Sequence, residues 1–302
     1  MKYRMIKQTL FVSIFKKTNK ILKGDKFKIP FSSKLFNFIL AQTTPYPEFI
    51  KNKNGVFFLL PQGKVSREIT LYGVFEKEET ELVKNLIQKE DVVLDIGANI
   101  GYYTVLLSNL VGNEGKVFSF EPGLENFNIL KKNIFSNNIQ NSILENLAVS
   151  DSSIETKLFL SDGPGGHRIY HSNYCTDNFE VVNTITLDNY FKDNPIKERI
   201  SFVKIDVEGA EFGVLRGMKS LLKNKNIKIL LELYGPFIRE FGNEPNQLFL
   251  FLRGYGFKIY FFKKLKQKNS ITLNDMHELT IQEEANLNFE FKDQNFLCIK
   301  EI

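Results

Sequence analysis

The sequence predicts an α/β fold built on a mostly parallel sheet with helices on both faces. Three observations point there. Short, nearly unbroken apolar runs recur from residue 91 onward, and runs without alternation mark strands buried on both sides. Stretches with apolar residues at three- and four-residue spacing separate these runs and read as helices. A glycine-bearing turn stands where the first run passes into its helix, the place where open parallel sheets bind their ligands.

Taken in order, residues 1–45 read as helical, with apolar residues between lysines and punctuation at Pro30, Pro45 and Pro47. Phe57–Leu60 and Ile69–Tyr72 flank Pro61-Gln62-Gly63, a turn signal that predicts a strand pair. Residues 76–90 turn helical, with Leu82, Val83, Leu86 and Ile87 on one face. Val92–Ile96 is the first apolar run, and a helix through Val105, Leu106, Leu107 and Leu110 follows. Val117–Phe120 is the second, followed by a helix through Leu124, Phe127, Leu130 and Ile134. Ile143–Val149, Phe202–Ile205 and Ile227–Leu233 are the third, fourth and fifth runs. Phe257–Phe262 and Phe296–Ile299 read as two final strands, and the polar residues 263–288 between them read as an insertion or long loop. No internal repeat or low-complexity tract interrupts the pattern.

Composition narrows the class. The chain has 302 residues, 43% hydrophobic and 25% charged, which is ordinary globular usage. Cys175 and Cys298 are its two cysteines and His167, His171 and His277 its three histidines. That excludes a disulfide framework and a histidine- or cysteine-rich metal cluster, and it favours a reducing, cytoplasmic setting. The net charge of +5 is uneven: residues 1–34 carry +9 and the remainder −4. The run Leu10–Phe15 is closed at once by Lys16 and Lys17. It is far short of the ~20 apolar residues a membrane span needs, and it has no cleavage site of the signal-peptide kind. Two readings stand for residues 1–40: a helical extension packed on the body, or a basic amphipathic segment lying on an anionic membrane surface.

The turn Asp95-Ile96-Gly97-Ala98-Asn99-Ile100-Gly101 lets the backbone bend sharply and a ligand approach closely. It is not the G-x-G-x-x-G pattern that cradles a pyrophosphate, and its acid would repel a diphosphate and suit an ammonium group. Glu121 ends the second run, followed by Pro122, and an acid at that place accepts hydrogen bonds from a ribose diol. A nucleoside with a cationic amino-acid tail is S-adenosylmethionine. The plain alternative is a tight strand–helix turn and a helix-capping acid.

With these residues the sequence resembles the FkbM family of class I S-adenosylmethionine-dependent methyltransferases. The matching stretches are Val92–Thr104, Phe118–Pro122, Asn146–Asp151 and Val203–Glu211, and the likeness spans about residues 75–235. The resemblance implies a Rossmann-like, seven-stranded, mostly parallel sheet with a reversed last strand. It divides the chain into residues 1–75, a basic helical extension with a β-hairpin, and residues 76–302, the methyltransferase domain. It implies Asp95, Gly97, Asn99 and Gly101, with Tyr102 and Thr104 just after them, at the methionine end of the donor. Glu121 would hold the ribose, and Asn126, Asn146 and Ala148 would lie near the ribose and adenine.

A sugar hydroxyl is a poor nucleophile until a base or a metal ion draws off its proton. Asp206, Glu208 and Glu211 cluster after the fourth run and Glu232 near the end of the fifth. Asp206 and Glu208 are therefore candidates for the catalytic carboxylates. The resemblance permits, without requiring, a Mg²⁺ or Ca²⁺ site formed by Asp206 and Glu232; a carboxylate that orients a substrate is the other reading. Glu211 reads otherwise as an acid on the first turn of a helix. His167 or His171 would serve as base, imidazole titrating near neutrality; otherwise they are ordinary loop residues.

The expectation is therefore an O-methyltransferase of the FkbM type, acting on a hydroxyl of a sugar, a glycan or a glycosylated natural product. It would work in the cytoplasm or at the membrane periphery, without nucleic acid as partner. The rivals are a protein methyltransferase, a nucleic-acid methyltransferase using the basic arm, and a non-catalytic donor-binding scaffold. The last would predict decay of the glycine turn or of Asp206-Val207-Glu208-Gly209, and both are intact.

Overall fold

The structure is a computed structural model that describes residues 48–51, 56–61, 63–161, 165–262, 271–284 and 294–300. The helical reading of residues 1–45 lies outside them. The chain divides into two compact units, residues 1–75 and 76–302.

In the first unit, β1 (Glu48–Lys51) pairs antiparallel with β2 (Phe57–Leu60). The partner expected for β2, Ile69–Tyr72, is instead the second half of helix α1 (Lys64–Tyr72). The reason is local. Gly73 adopts φ 75° and donates its N–H to Ile69 O at 2.8 Å, which is a left-handed helix cap. Ser66 and Ile69 are buried at a spacing of three, the helical period.

The second unit begins with α2 (Lys77–Leu86). β3 (Val92–Ile96), α3 (Tyr102–Val111), β4 (Lys116–Phe120), α4 (Leu124–Ser136) and β5 (Ser142–Glu145) follow. β9 (Ile200–Ile205) and β10 (Lys228–Leu233) continue the sheet on the other side of β3. These five strands pair parallel in the order β10-β9-β3-β4-β5. β13 (Gln294–Lys300) lies antiparallel between β10 and β11 (Phe257–Phe262). That makes the expected seven strands with the last reversed. An eighth, β12 (Met276–Glu278), extends the edge beside β11. It comes from the segment read as an insertion or long loop, which is pinned by buried Ile271 and Leu279 and by the Arg253–Glu284 ion pair at 2.6 Å.

All five residues of β3 are buried, which is why its run is unbroken. Val92, Leu94, Ile96, Phe120, Val203, Ile205, Ile229 and Leu231 join one core, each contributing roughly 1.5–3 kcal/mol through burial. The third run is two strands rather than one. β5 ends at Glu145, and β6 (Ala148–Val149) pairs with β8 (Phe179–Ile185) in a separate sheet of order β6-β8-β7, where β7 is Glu155–Phe159. The break falls at Asn146, whose side-chain amide donates to Glu121 O and Pro122 O at 2.9 and 2.8 Å. Those bonds tie the chain after β5 to the end of β4. Among the described residues, no helix is long and apolar enough to cross a membrane.

Candidate functional site

A cleft of about 640 Å³ opens at the carboxyl ends of β3, β4 and β9. Gly97, Asn99, Glu121, Asn126, Ala148, His167, Asp206 and Glu208 all line it. These residues come from separate stretches of chain, and the parallel sheet brings its strand tips side by side.

Gly97 explains the narrow turn. It adopts φ 81°, and a Cβ there would lie 1.8 Å from Asp206 O. The tips of β3 and β9 are thus in backbone contact, with Asp206 N donating to Ile96 O at 3.0 Å. Glu121 hangs from the end of β4. Its Oε2 accepts from Asn99 N at 2.8 Å and its Oε1 from Gly123 N at 2.9 Å. Burial pushes its pKa up to about 7, against the lowering pull of the Gly123 and Asn99 N–H groups and the Asn126 side chain. A carboxylate so poorly hydrated gains from any further donor that reaches it. Phe120, Leu147, Leu158 and Ile169 give the cleft apolar walls.

Other residues expected at the site stand behind it, not among those lining the cleft. Asp95 is buried and receives Thr104 Oγ1 at 2.6 Å, so this pair braces the turn from inside the sheet. Tyr102 turns its hydroxyl to Thr80 Oγ1 at 3.1 Å. Gly101 lets α4 pack closely, since a Cβ there would meet Leu130 Cδ1 at 2.4 Å. Asn146 ties the end of β4 as described. His171 is largely exposed, 3.5 Å from Asp177.

The acidic side of the cleft is organised by basic residues that the sequence pattern does not single out. Lys204 is buried and donates to Asp206 Oδ2 at 2.8 Å. Burial alone would lower its pKa, but Asp206, Glu76, Glu232 and Asp95 together hold it above the ordinary value. This bears on the expected Asp206–Glu232 metal site. The cation among these carboxylates is an ammonium, and no group of three or more histidine, cysteine, aspartate or glutamate side chains suited to a metal occurs among the described residues. Asp206 and Glu232 supply two carboxylates, and a Mg²⁺ held by so few would keep most of its oxygens as water.

Glu208 sits in left-handed backbone at φ 53°, with Oε2 3.5 Å from Arg168 Nη2. Arg168 is 3% exposed, and its guanidinium carbon lies 3.7 Å from the ring centre of Phe237. Tyr170 donates to Glu208 O and Phe237 O at 2.9 and 3.0 Å. Gly209 is required beneath it: a Cβ there would be 2.5 Å from the Tyr170 hydroxyl oxygen. Glu211 does not reach the cleft. Its Oε1 accepts from Gly209 N at 2.9 Å, and burial pushes its pKa up to about 8. His167 lines the cleft from the far side, its Nδ1 accepting from Ser161 N at 3.0 Å.

Comparison with known proteins supplies the family. The methyltransferase FkbM domain matches residues 95–259. Hexuronic acid methyltransferase AglP of Haloferax volcanii is 27% identical over 158 residues, 51% of this chain and 61% of that protein. A probable cobalt-precorrin-6B C(15)-methyltransferase (decarboxylating) of Saccharolobus solfataricus is 27% identical over 153 residues, 46% of this chain and 74% of that protein. A solved structure of methyltransferase FkbM from Methylobacillus flagellatus aligns at 13% identity and a TM-score of 0.44, covering 77% of this chain and 51% of that chain. The chain thus spans less than two thirds of the length of the hexuronic acid methyltransferase and of that solved chain. Since the family match extends over more than half of its residues, the chain belongs to the FkbM methyltransferase domain family.

Proposed function

We propose that the protein transfers a methyl group from S-adenosylmethionine to a sugar hydroxyl. The observation that carries the reading is the buried Glu121 carboxylate, held by Asn99 N and Gly123 N and lining a cleft of about 640 Å³. The residues fit this donor: Glu121 has acceptor capacity for a ribose diol, and Gly97 and Asn99 line the cleft where an amino-acid tail would lie. Asn126 and Ala148 would border the nucleoside. The donor supplies a methyl group already activated on a sulfonium.

The chain's own work is then positioning and proton removal. Asp206 and Glu208 are the carboxylates on the acceptor side of the cleft. Asp206 is pinned by Lys204, which suits a group that orients the acceptor. Glu208 has the looser partner, Arg168 at 3.5 Å, and is the better placed to take the hydroxyl proton. A sugar as acceptor is supported by the family and by the hexuronic acid methyltransferase among its relatives.

Calorimetric titration with S-adenosylhomocysteine tests the donor. Micromolar binding is expected, weakened about tenfold to a hundredfold in Glu121→Ala, or roughly 1.4–2.8 kcal/mol. Mass spectrometry of a panel of neutral and acidic sugars incubated with the donor then tests the acceptor. A folded wild-type protein that binds no S-adenosylhomocysteine overturns the reading.

A further inference from the structure

We infer that His167 binds the nucleoside half of the methyl donor as an Nε2–H hydrogen-bond donor, and that it is not the base for the acceptor hydroxyl. The inference rests on the donor reading given above.

Hydrogen bonding decides the first point. The Ser161 backbone N–H can only donate, and it reaches His167 Nδ1 at 3.0 Å. The Nδ1 lone pair is therefore used, and in the neutral ring the proton resides on Nε2. Neither nitrogen has a free lone pair with which to take a proton. Four charged groups surround the ring from four elements or loops: Glu180 on β8, Glu125 on α4, Arg168 beside it in the chain, and Glu121 across Gly123. Burial outweighs the raising pull of Glu180 and Glu125 and, with Arg168 acting in the same direction, lowers the ring's pKa below its ordinary value, so the neutral form prevails near pH 7.

Position decides the second. A Cβ placed on Gly123 would be 3.0 Å from Glu121 Oε1 and 3.3 Å from His167 Cδ2. The Cδ2 edge of the ring, next to Nε2, thus faces the turn after β4 that carries Glu121. Asp206 and Glu208 belong to the end of β9, and β3 lies between β9 and β4. Two strand spacings are about 10 Å, so the ring stands at the ribose end of the cleft, away from the acceptor carboxylates. A ribose and a purine present oxygen and ring-nitrogen acceptors as well as hydroxyl donors. Glu121 answers the donors, and the His167 Nε2–H answers an acceptor.

The test titrates wild type, His167→Phe and His167→Gln with S-adenosylhomocysteine and, separately, with adenosine. His167→Phe is expected to weaken both ligands tenfold or more. His167→Gln, which keeps an N–H donor, is expected to recover most of that loss. Unchanged affinity for both ligands in a folded His167→Phe, with wild type binding normally, overturns the inference and leaves the donor reading standing. A wild type that binds neither ligand overturns the donor reading and the inference with it. Nitrogen-15 spectra of histidine-labelled wild type give a readout independent of any variant. The Nε2–H tautomer is expected for His167, and the Nδ1–H tautomer overturns the assignment.

Discussion

The buried Lys204 ammonium lies 2.8 Å from Asp206, at the strand tip where carboxylates from three strands and from the segment before α2 gather around one cation. With this ammonium already balancing the carboxylates, no metal requirement is predicted. EDTA should leave S-adenosylhomocysteine affinity and methyl transfer unchanged, and added Mg²⁺ should not raise either. Lys204→Met should cost about 3–5 kcal/mol, because it strands buried carboxylates without their partner; urea unfolding measures it. The sign of the pH effect follows from the raised lysine pKa. Its stabilisation is fully present below the unfolded pKa and is lost only as pH rises through the higher folded value. Between pH 6 and 9 the Lys204 contribution should therefore be flat. A requirement for divalent metal would overturn this account.

Lys204 also marks the limit of what the sequence makes legible. The run Phe202-Val203-Lys204-Ile205 reads as a buried strand, and it is one. A lysine inside such a run implies buried carboxylates, yet no local spacing says which. The glycine turn and Glu121 are legible because they sit at strand tips and act through their immediate neighbours. Arg168 and Tyr170 are not, since their partners Glu208 and Phe237 lie 38 to 69 positions away in the sequence. β7 and β8 leave no long apolar run to read, because their burial is partial and polar residues interrupt the apolar ones. Ile69–Tyr72 misleads because β-branched residues favour strands, whereas Gly73 closes a helix.

Donor affinity should depend on pH through Glu121. Burial places its pKa at about 7, and the ionised form accepts more hydrogen bonds from a ribose diol. S-adenosylhomocysteine should bind roughly tenfold more weakly at pH 6 than at pH 8, since one pH unit below the pKa leaves about a tenth of the carboxylates ionised. The unliganded protein should respond in the opposite sense. A carboxyl whose pKa is raised on folding contributes most below the unfolded value near 4.5, and that contribution fades as pH rises through about 7. Glu121→Gln should flatten both profiles, which calorimetry and urea unfolding at the two pH values would record.

Glu211 predicts a second pH effect, on stability alone. Its pKa of about 8 arises from burial, so it folds as the neutral acid at pH 7. Its stabilisation is complete below the unfolded carboxylate value and is lost as pH rises through about 8. Glu211→Gln keeps the shape without the charge. It should raise stability at pH 7, where the wild type must take up a proton to fold, and should remove a loss of roughly 1 kcal/mol per pH unit that accrues from about pH 5 up to about pH 8. Equal urea midpoints for wild type and variant at pH 9 would contradict this.

The Arg168–Glu208 contact separates acceptor chemistry from donor binding. Arg168 is wedged against Phe237 and lies 3.5 Å from the cleft-lining Glu208, so it is a positioning residue. Arg168→Met should leave S-adenosylhomocysteine affinity within about threefold of wild type. It should lower kcat for the sugar acceptor tenfold or more, because Glu208 loses its holder while the donor side keeps Glu121 and its two N–H partners. The pH–rate profile should shift as well, since the charge beside Glu208 is gone. Arg168→Lys should restore the profile better than the rate, because an ammonium supplies charge without the planar stacking that Phe237 accepts. A purely structural role would lower stability and donor affinity together and leave the profile where it was. Parallel measurement of donor Kd, kcat and KM across pH tells the two apart.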